Sequence, residues 1–311
     1  MDFVIFILAI GALIAGADFI INQSEKIAVH FNIPEFVIGA TIIALGTSLP
    51  EIASSMMASI NEKPEMALSN AIGSNIFNIT LVLAIIFIVS KNINPHRNFF
   101  AKDTTWALVP VLLFILMGVD NSIGKFDAVL LLVLMFAYIL FLLNDAPILG
   151  KESIDEIKNE KSFNWLKVLG LLFVGFILVV GGAHFTVESA SGIAVNFGIS
   201  DRVIAIILIS LGTSLPELVV SVTASLKGKV DMAIGNIIGS NMANTTVVIG
   251  AAALTKPLTI DSYAYLFDIT TMCVATLLLV FITANKLYNK SAGISLIIIL
   301  GLFLDNTLKH I

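Results

Sequence analysis

Ten stretches of this chain are each apolar enough and nearly long enough to cross a lipid bilayer, and that succession decides the class of fold. A bilayer core takes about 20 predominantly apolar residues as a helix. Inside it every backbone N–H and C=O must be satisfied within the segment, so each stretch is expected as an α-helix. The runs span approximately 2–23, 34–60, 66–90, 103–119, 126–143, 164–186, 201–226, 231–254, 264–284 and 292–307. Composition agrees: 58% of the residues are hydrophobic and 13% are charged, against about 25% charged in soluble domains. The net charge of −5 comes mostly from loop acids, and no basic, aromatic-rich stretch points to nucleic acid. The single cysteine, Cys273, allows no intrachain disulfide. The four histidines are scattered without metal-ligand spacing. The opening MDFVIFILAIG has an acid where a cleaved signal would carry positive charge, so it reads as a retained first span.

The basic residues give an orientation. All 17 lysines and arginines fall between runs or at their ends. Alternate loops hold 12 of them, from Lys26, Lys91, Arg97 and Lys102 to Lys286 and Lys290; the other side holds Lys63, Lys125, Arg202, Lys256 and Lys309. The positive-inside rule places the richer side in the cytoplasm and both termini outside a plasma or inner membrane.

The two halves of the chain are copies. Phe31–Thr80 aligns with Phe197–Thr246 at a constant offset of 166, without a gap, with 25 of 50 positions identical. Upstream, Gly16, Ala17 and Phe19 pair with Gly182, Ala183 and Phe185. Each half holds five runs, and five is odd, so the second half enters the membrane from the opposite side. The expected fold is all-α: ten transmembrane helices as two inverted five-helix repeats, residues 1–143 and 163–311, with a charged cytoplasmic linker at 144–162. Inverted repeats are typical of secondary transporters, whose sites lie near the midplane.

What repeats best is polar. GTSLPE occurs at Gly46–Glu51 and again at Gly212–Glu217, each inside an apolar run. On a helix, Thr47, Ser48 and Glu51 share a face, as do Thr213, Ser214 and Glu217. Pro50 and Pro216 have no N–H, so the carbonyl one turn earlier loses its helical partner. Hydroxyls, a carbonyl and a carboxylate are therefore aimed together, and hard cations such as Ca²⁺ take oxygen ligands of this kind. A charge at the centre of a membrane helix costs about 2.5–3.5 kcal/mol. No span interior holds a lysine or arginine to offset Glu51 or Glu217, so a bound cation or a proton must do so. A second repeated element, NAIGSNIFN at Asn70–Asn78 and NIIGSNMAN at Asn236–Asn244, places Ser74 with Asn78 and Ser240 with Asn244 four residues apart. These add hydroxyl and amide oxygens, and Gly73 and Gly239 allow close helix approach. Asn75 and Asn241 read equally as ligands or as interhelical contacts. Asp18 and Glu188 read as solvated or beside an access path.

With both motif pairs in hand, the chain resembles the sodium/calcium exchanger family of the calcium/cation antiporter superfamily. The repeats look like its alpha repeats, and the short linker looks like a compact prokaryotic member without a large regulatory region. The resemblance implies Na⁺ and Ca²⁺ as the transported ions, no cofactor, no enzymatic activity and no obligate protein partner. It implies Glu51 and Glu217 as central ligands and Thr47, Ser48, Thr213 and Ser214 as sources of hydroxyls or carbonyls. The carbonyls of Ala44 and Ser210 would line sodium sites, and Ser74, Asn78, Ser240 and Asn244 would complete the centre. It also implies that spans 1 and 6, expected to be short, gate the site. Potassium-dependent members, and some archaeal ones, carry aspartate where this chain has Asn244; with Asn there the site has only two fixed charges, so potassium dependence is not expected. The hydroxyls favour Na⁺ over a proton as the counter-ion, leaving H⁺/Ca²⁺ antiport as the alternative. A hydrolase would need a nucleophile paired with a base, which no span supplies. A channel would more usually gain its symmetry from subunits.

Overall fold

The computed structural model describes residues 1–90, 93, 95, 97–145, 163–197, 212–261 and 263–309. Ser210, residues 146–162 of the linker and the first half of the seventh span (201–211) lie outside the described residues.

The chain is helical almost throughout. In order, α1 is Asp2–Phe31, α2 is Glu35–Thr47, α3 is Leu49–Ile60 and α4 is Pro64–Val89. They are followed by α5, Thr104–Met117, α6, Lys125–Asn144, and α7, Trp165–Asn196. Then come α8, Leu215–Leu226, α9, Val230–Thr255, α10, Leu266–Ala284, and α11, Lys290–Lys309. Among the described residues seven of these are long and apolar enough to span a membrane, and α2 with α3 makes an eighth, broken by a bend of 43°. Helices α5 and α8 are shorter and apolar. One departure from an all-helical chain is a two-residue antiparallel pair, Ser122–Ile123 with Leu258–Thr259, which ties two connecting segments together.

The first and sixth spans are not short. Expected at 2–23 and 164–186, they run for 30 and 32 residues and are the longest helices described. Nothing in Ile21–His30 breaks the helix. Ile20, Ile21, Ser24, Ile27 and Ala28 continue the buried stripe at helical spacing. The stop comes at Asn32, in a left-handed conformation, whose N–H closes on Ala28 and Val29. Lys26 is thus inside α1, not in a loop.

The chain divides into two compact units, each drawn from both halves of the sequence: 1–47 with 140–236, and 48–139 with 237–311. In the first unit α1 runs against α7 along small residues. A Cβ on Gly16 would come 2.8 Å from the carbonyl oxygen of Gly175, and one on Gly182 would come 2.9 Å from that of Ala9. Helices α2 and α9 cross even closer, with a Cβ on Gly39 falling 2.3 Å from Met232 O and one on Gly235 falling 2.5 Å from Phe36 O. At one end of this unit Lys229 is gripped by Glu25 and by Glu35, the latter at 2.7 Å, and Lys227 pairs with Asp18 at 2.7 Å. Burial alone would lower the Lys229 pKa, but the hydrogen bonds Lys229 donates to the Glu25 and Glu35 carboxylates, and their charges, reverse this and raise it. Asp18, expected as solvated, is half-exposed and ion-paired.

In the second unit Ser59 of α3 donates to Ala252 O of α9 at 2.8 Å. The α11 residue Gly293 sits against α4, where an added Cβ would lie 2.9 Å from Ala84 O. Arg97 holds Asp103 in a two-pronged buried pair at 2.6 and 2.9 Å, just before α5. Helices α4 and α9 are the interior ones: 72% and 83% of their most apolar stretches are buried, against 28–39% for the other five long helices.

The repeat is visible in local conformation. Helices α3 and α8 have the same 12-residue length at the offset of 166, and Ser48 and Ser214 before them adopt φ −84°, ψ 5° and φ −88°, ψ 1°. Each ends in the same three-bond turn, with N–H groups of Asn61, Glu62 and Lys63 and of Lys227, Gly228 and Lys229 closing on equivalent carbonyls. Glu62 (φ 60°) and Gly228 (φ 80°) are both left-handed.

Candidate cation site

The broken span places the first motif. Four residues of helix, Ala44–Thr47, follow a wider π-helical turn at Gly39–Ile43; then the helix breaks at Ser48 and restarts with Pro50 in its first turn. Pro50 suits that position because its missing N–H would have had no helical partner. Glu51 follows at once, completely buried, as is Ser48. In the second copy Glu217 is 1% and Ser214 3% exposed, while Thr213 is half-buried. Burying a carboxylate costs several kcal/mol unless something compensates it (about that scale per ion).

In the second unit Glu51 has Ser48, Ser74, Asn78, Ser240 and Asn244 as fellow candidates, all buried. Helices α4 and α9 meet at the GSN elements. Asn75 Nδ2 donates to Thr245 Oγ1 at 2.8 Å, and Asn241 Nδ2 donates to the Asn75 carbonyl at 3.3 Å. Ser74, Asn78 and Asn244 are therefore all within a turn of that contact. The amide nitrogens of Asn75 and Asn241 join the two helices, while their amide oxygens have no hydrogen-bond partner among the described residues. Asn78 and Asn244 each begin a π-helical segment, Asn78–Leu83 and Asn244–Val248. Such wide turns recur at functional sites.

The polar accounting is unusual here. Among the described residues, Ser74 Oγ and all four amide atoms of Asn78 and Asn244 are buried without a hydrogen-bond partner. Leaving one such group unsatisfied costs about 1–3 kcal/mol, and most buried polar side-chain atoms have partners. The three oxygens and their neighbouring hydroxyls are hard ligands. Among the described residues no three His, Cys, Asp or Glu side chains gather around a metal position, so a cation here must draw on hydroxyl and amide oxygens too.

In the first unit Ala44 and Thr47 are completely buried. The Thr47 hydroxyl is within reach of three acceptors: Ile43 O at 3.1 Å, Ala44 O at 3.2 Å and Asn236 Oδ1 at 3.3 Å. Ser214 Oγ is another buried hydroxyl without a hydrogen-bond partner among the described residues. The residues that sequence reasoning left without a role are Asn70 and Asn236, the first letters of the second motif. Each is bonded to a serine one turn beyond a glutamate, Asn70 to Ser55 and Asn236 to Ser221, both at 2.9 Å. Their recurrence at the offset of 166 was the available signal.

Seven or eight helices long and apolar enough to cross a membrane, with buried unpartnered oxygens between them among the described residues, define a polytopic membrane protein. A family model described as sodium/calcium exchanger protein matches residues 1–144 and 167–305. The sodium/calcium exchanger MaX1 of Methanosarcina acetivorans is 30% identical over 98% of this chain and 97% of its own. The uncharacterised membrane protein MJ0091 of Methanocaldococcus jannaschii is 39% identical over 77% of each chain. A solved structure of the sodium-calcium exchanger NCX_Mj superposes with a TM-score of 0.82 and 33% identity, covering 98% of this chain and 97% of that one. The chain belongs to the sodium/calcium exchanger family, and is a compact, prokaryotic-type member of it. It is a transporter of the cation/Ca²⁺ antiport class, not an enzyme.

Proposed function

We propose that the chain exchanges Na⁺ for Ca²⁺ by alternating access, electrogenically and without potassium. The supporting observation is the set of buried oxygens and amides on α4 and α9, at Ser74, Asn78 and Asn244, that lack hydrogen-bond partners among the described residues. They accompany a buried carboxylate, Glu51. Hydroxyls and amide oxygens suit Na⁺ and Ca²⁺, whereas carrying a proton would need only the carboxylate. Glu51 and Glu217 act as the charged ligands, with Thr47, Ser48, Thr213, Ser214, Ser240 and the carbonyls of Ala44 and Ser210 as further oxygens. Two carboxylates are neutralised by one Ca²⁺ or by two Na⁺. A third Na⁺, as in the family, carries net charge, and moving one charge is worth about 2.3 kcal/mol per 100 mV. With Asn244 in place of an aspartate there is no third fixed charge to favour potassium.

The same reading takes the chain as ten spans in two inverted repeats, α5 and α8 completing the count, with both termini outside the plasma membrane. The partners are the ions and the lipid. The decisive experiment is radioactive calcium uptake into sodium-loaded proteoliposomes, with the sodium gradient abolished or replaced by a proton gradient. Uptake that follows only the outward sodium gradient, and is unchanged without potassium, supports the exchanger. Uptake on protons alone moves the chain to H⁺/Ca²⁺ antiport.

A further inference from the structure

The two asparagines that open the second motif do the same thing twice. Asn70 Nδ2 lies 2.9 Å from Ser55 Oγ, 3.0 Å from Ser54 Oγ and 3.3 Å from the carbonyl oxygen of Glu51 itself. Its two hydrogens can serve two of these acceptors at a time. Asn236 Nδ2 lies 2.9 Å from Ser221 Oγ. Ser55 and Ser221 are each four residues beyond a glutamate, on the glutamate's face of the helix, and both are buried. Asn236 is 1% exposed, so its bond is made where losing it leaves buried polar groups unsatisfied.

Asn236 has a second contact that bears on a ligand. A hydroxyl can offer its oxygen to a cation only if its proton points elsewhere. Thr47 has one proton and three acceptors within reach, of which Ile43 O and Ala44 O belong to its own helix and Asn236 Oδ1 to another. When the proton goes to Asn236, the lone pairs of the Ala44 carbonyl and of the Thr47 oxygen stay open to a cation.

We propose that Asn70 and Asn236 are positioning residues: each braces the helix that carries a glutamate through the serine one turn beyond it, and Asn236 also takes up the Thr47 proton. This rests on Glu51, Glu217 and Thr47 being ligands. Neither asparagine touches the ion. Their loss should therefore weaken ion affinity rather than abolish turnover.

The test uses the whole chain in proteoliposomes, with calcium uptake measured as a function of Ca²⁺ and Na⁺ concentration. Ser221→Ala removes the acceptor of Asn236, and Ser54→Ala with Ser55→Ala removes both hydroxyl acceptors of Asn70; Ser221→Thr and Ser55→Thr, the latter on the Ser54→Ala background, restore one. The expected result is a rise of about 2- to 10-fold in half-saturating Ca²⁺ for the alanine variants, the range of one lost hydrogen bond. Maximal rate should stay within about twofold, and the threonine variants should recover toward the parent value. Asn236→Ala should raise half-saturating Na⁺ as well, through Thr47. If an alanine variant does not fold, Ser221→Cys and Ser55→Cys keep the volume with a poor acceptor and are read in its place. Unchanged half-saturation in the folded variants overturns the proposal, as does an equal loss in the threonine variants. The parent chain is run on sodium and on proton gradients in parallel. Uptake on protons alone overturns the exchanger reading, and the brace is then judged by the same half-saturation ratio for Ca²⁺.

Discussion

Glu51 and Glu217 are buried carboxylates, and at the scale of single residues they carry the sharpest expectations. Glu51→Gln keeps the shape and removes one of the two charges, so calcium uptake should fall to background; near-normal uptake would remove Glu51 from the site. Glu217→Gln should do the same. The repeat-related turns after α3 and α8 offer a test away from the ions. Gly228 sits at φ 80°, where a side chain is strained, so Gly228→Ala should cost about 1 kcal/mol, seen as a lowered melting temperature in detergent with calcium affinity unchanged. Glu62 holds the equivalent place at φ 60° and pairs with Lys256 at 2.7 Å. The hydrogen bond it accepts from Lys256, and that lysine's charge, hold its carboxyl below the usual carboxylate range. A lowered carboxyl pKa contributes stability above the unfolded value that is lost as pH falls through the folded one. Lys256→Gln should therefore lower stability slightly at neutral pH, leave it unchanged at pH below the folded pKa, and so flatten the acid side of the profile. The candidate ligands were legible because polar letters repeated inside apolar runs are expensive. The braces at Asn70 and Asn236 were not, because their meaning depends on which serine faces them across two helices.

Among the helices, packing decides more than composition does. The α2–α9 crossing has no room for a side chain: a Cβ on Gly39 would fall 2.3 Å from the backbone oxygen of Met232. Backbone cannot swing aside as a flexible side chain can, so Gly39→Ala should cost upwards of about 1–3 kcal/mol and lower the yield of monodisperse protein. Gly73→Ala, with no neighbour within 4 Å of the added carbon, should be tolerated on the same measure. The existence of the spans was legible, since long apolar runs have few alternatives. Their ends were less so. Residues 24–31 read as a polar loop by composition, yet Ser24, Ile27 and Ala28 keep the buried stripe of α1 going. The π-helical turns that begin at Asn78 and Asn244 had no residue code to announce them. They follow from how α4 and α9 meet.

For the whole molecule, the expected orientation rests on counting lysines and arginines. A single cysteine placed at the N-terminus, in a chain with Cys273 replaced by Ala, should react with impermeant reagents only from outside; labelling only from the cytoplasm would invert the assignment. The ion pairs made by Lys227 and Lys229 bind the start of α9 and the turn before it to α1 and α2. Partly exposed pairs of this kind contribute about 0.2–1 kcal/mol each. Helices α1 and α7 have a different consequence. At about 1.5 Å per residue their 30 and 32 residues extend roughly 45 Å, well past the ~30 Å of a bilayer's hydrocarbon. They carry spare length at their ends, so a thicker membrane can be met by drawing more of each helix into lipid and a thinner one by tilt. The pair α1 and α7 is a gauge with slack in it, indifferent to the depth of the sea it stands in.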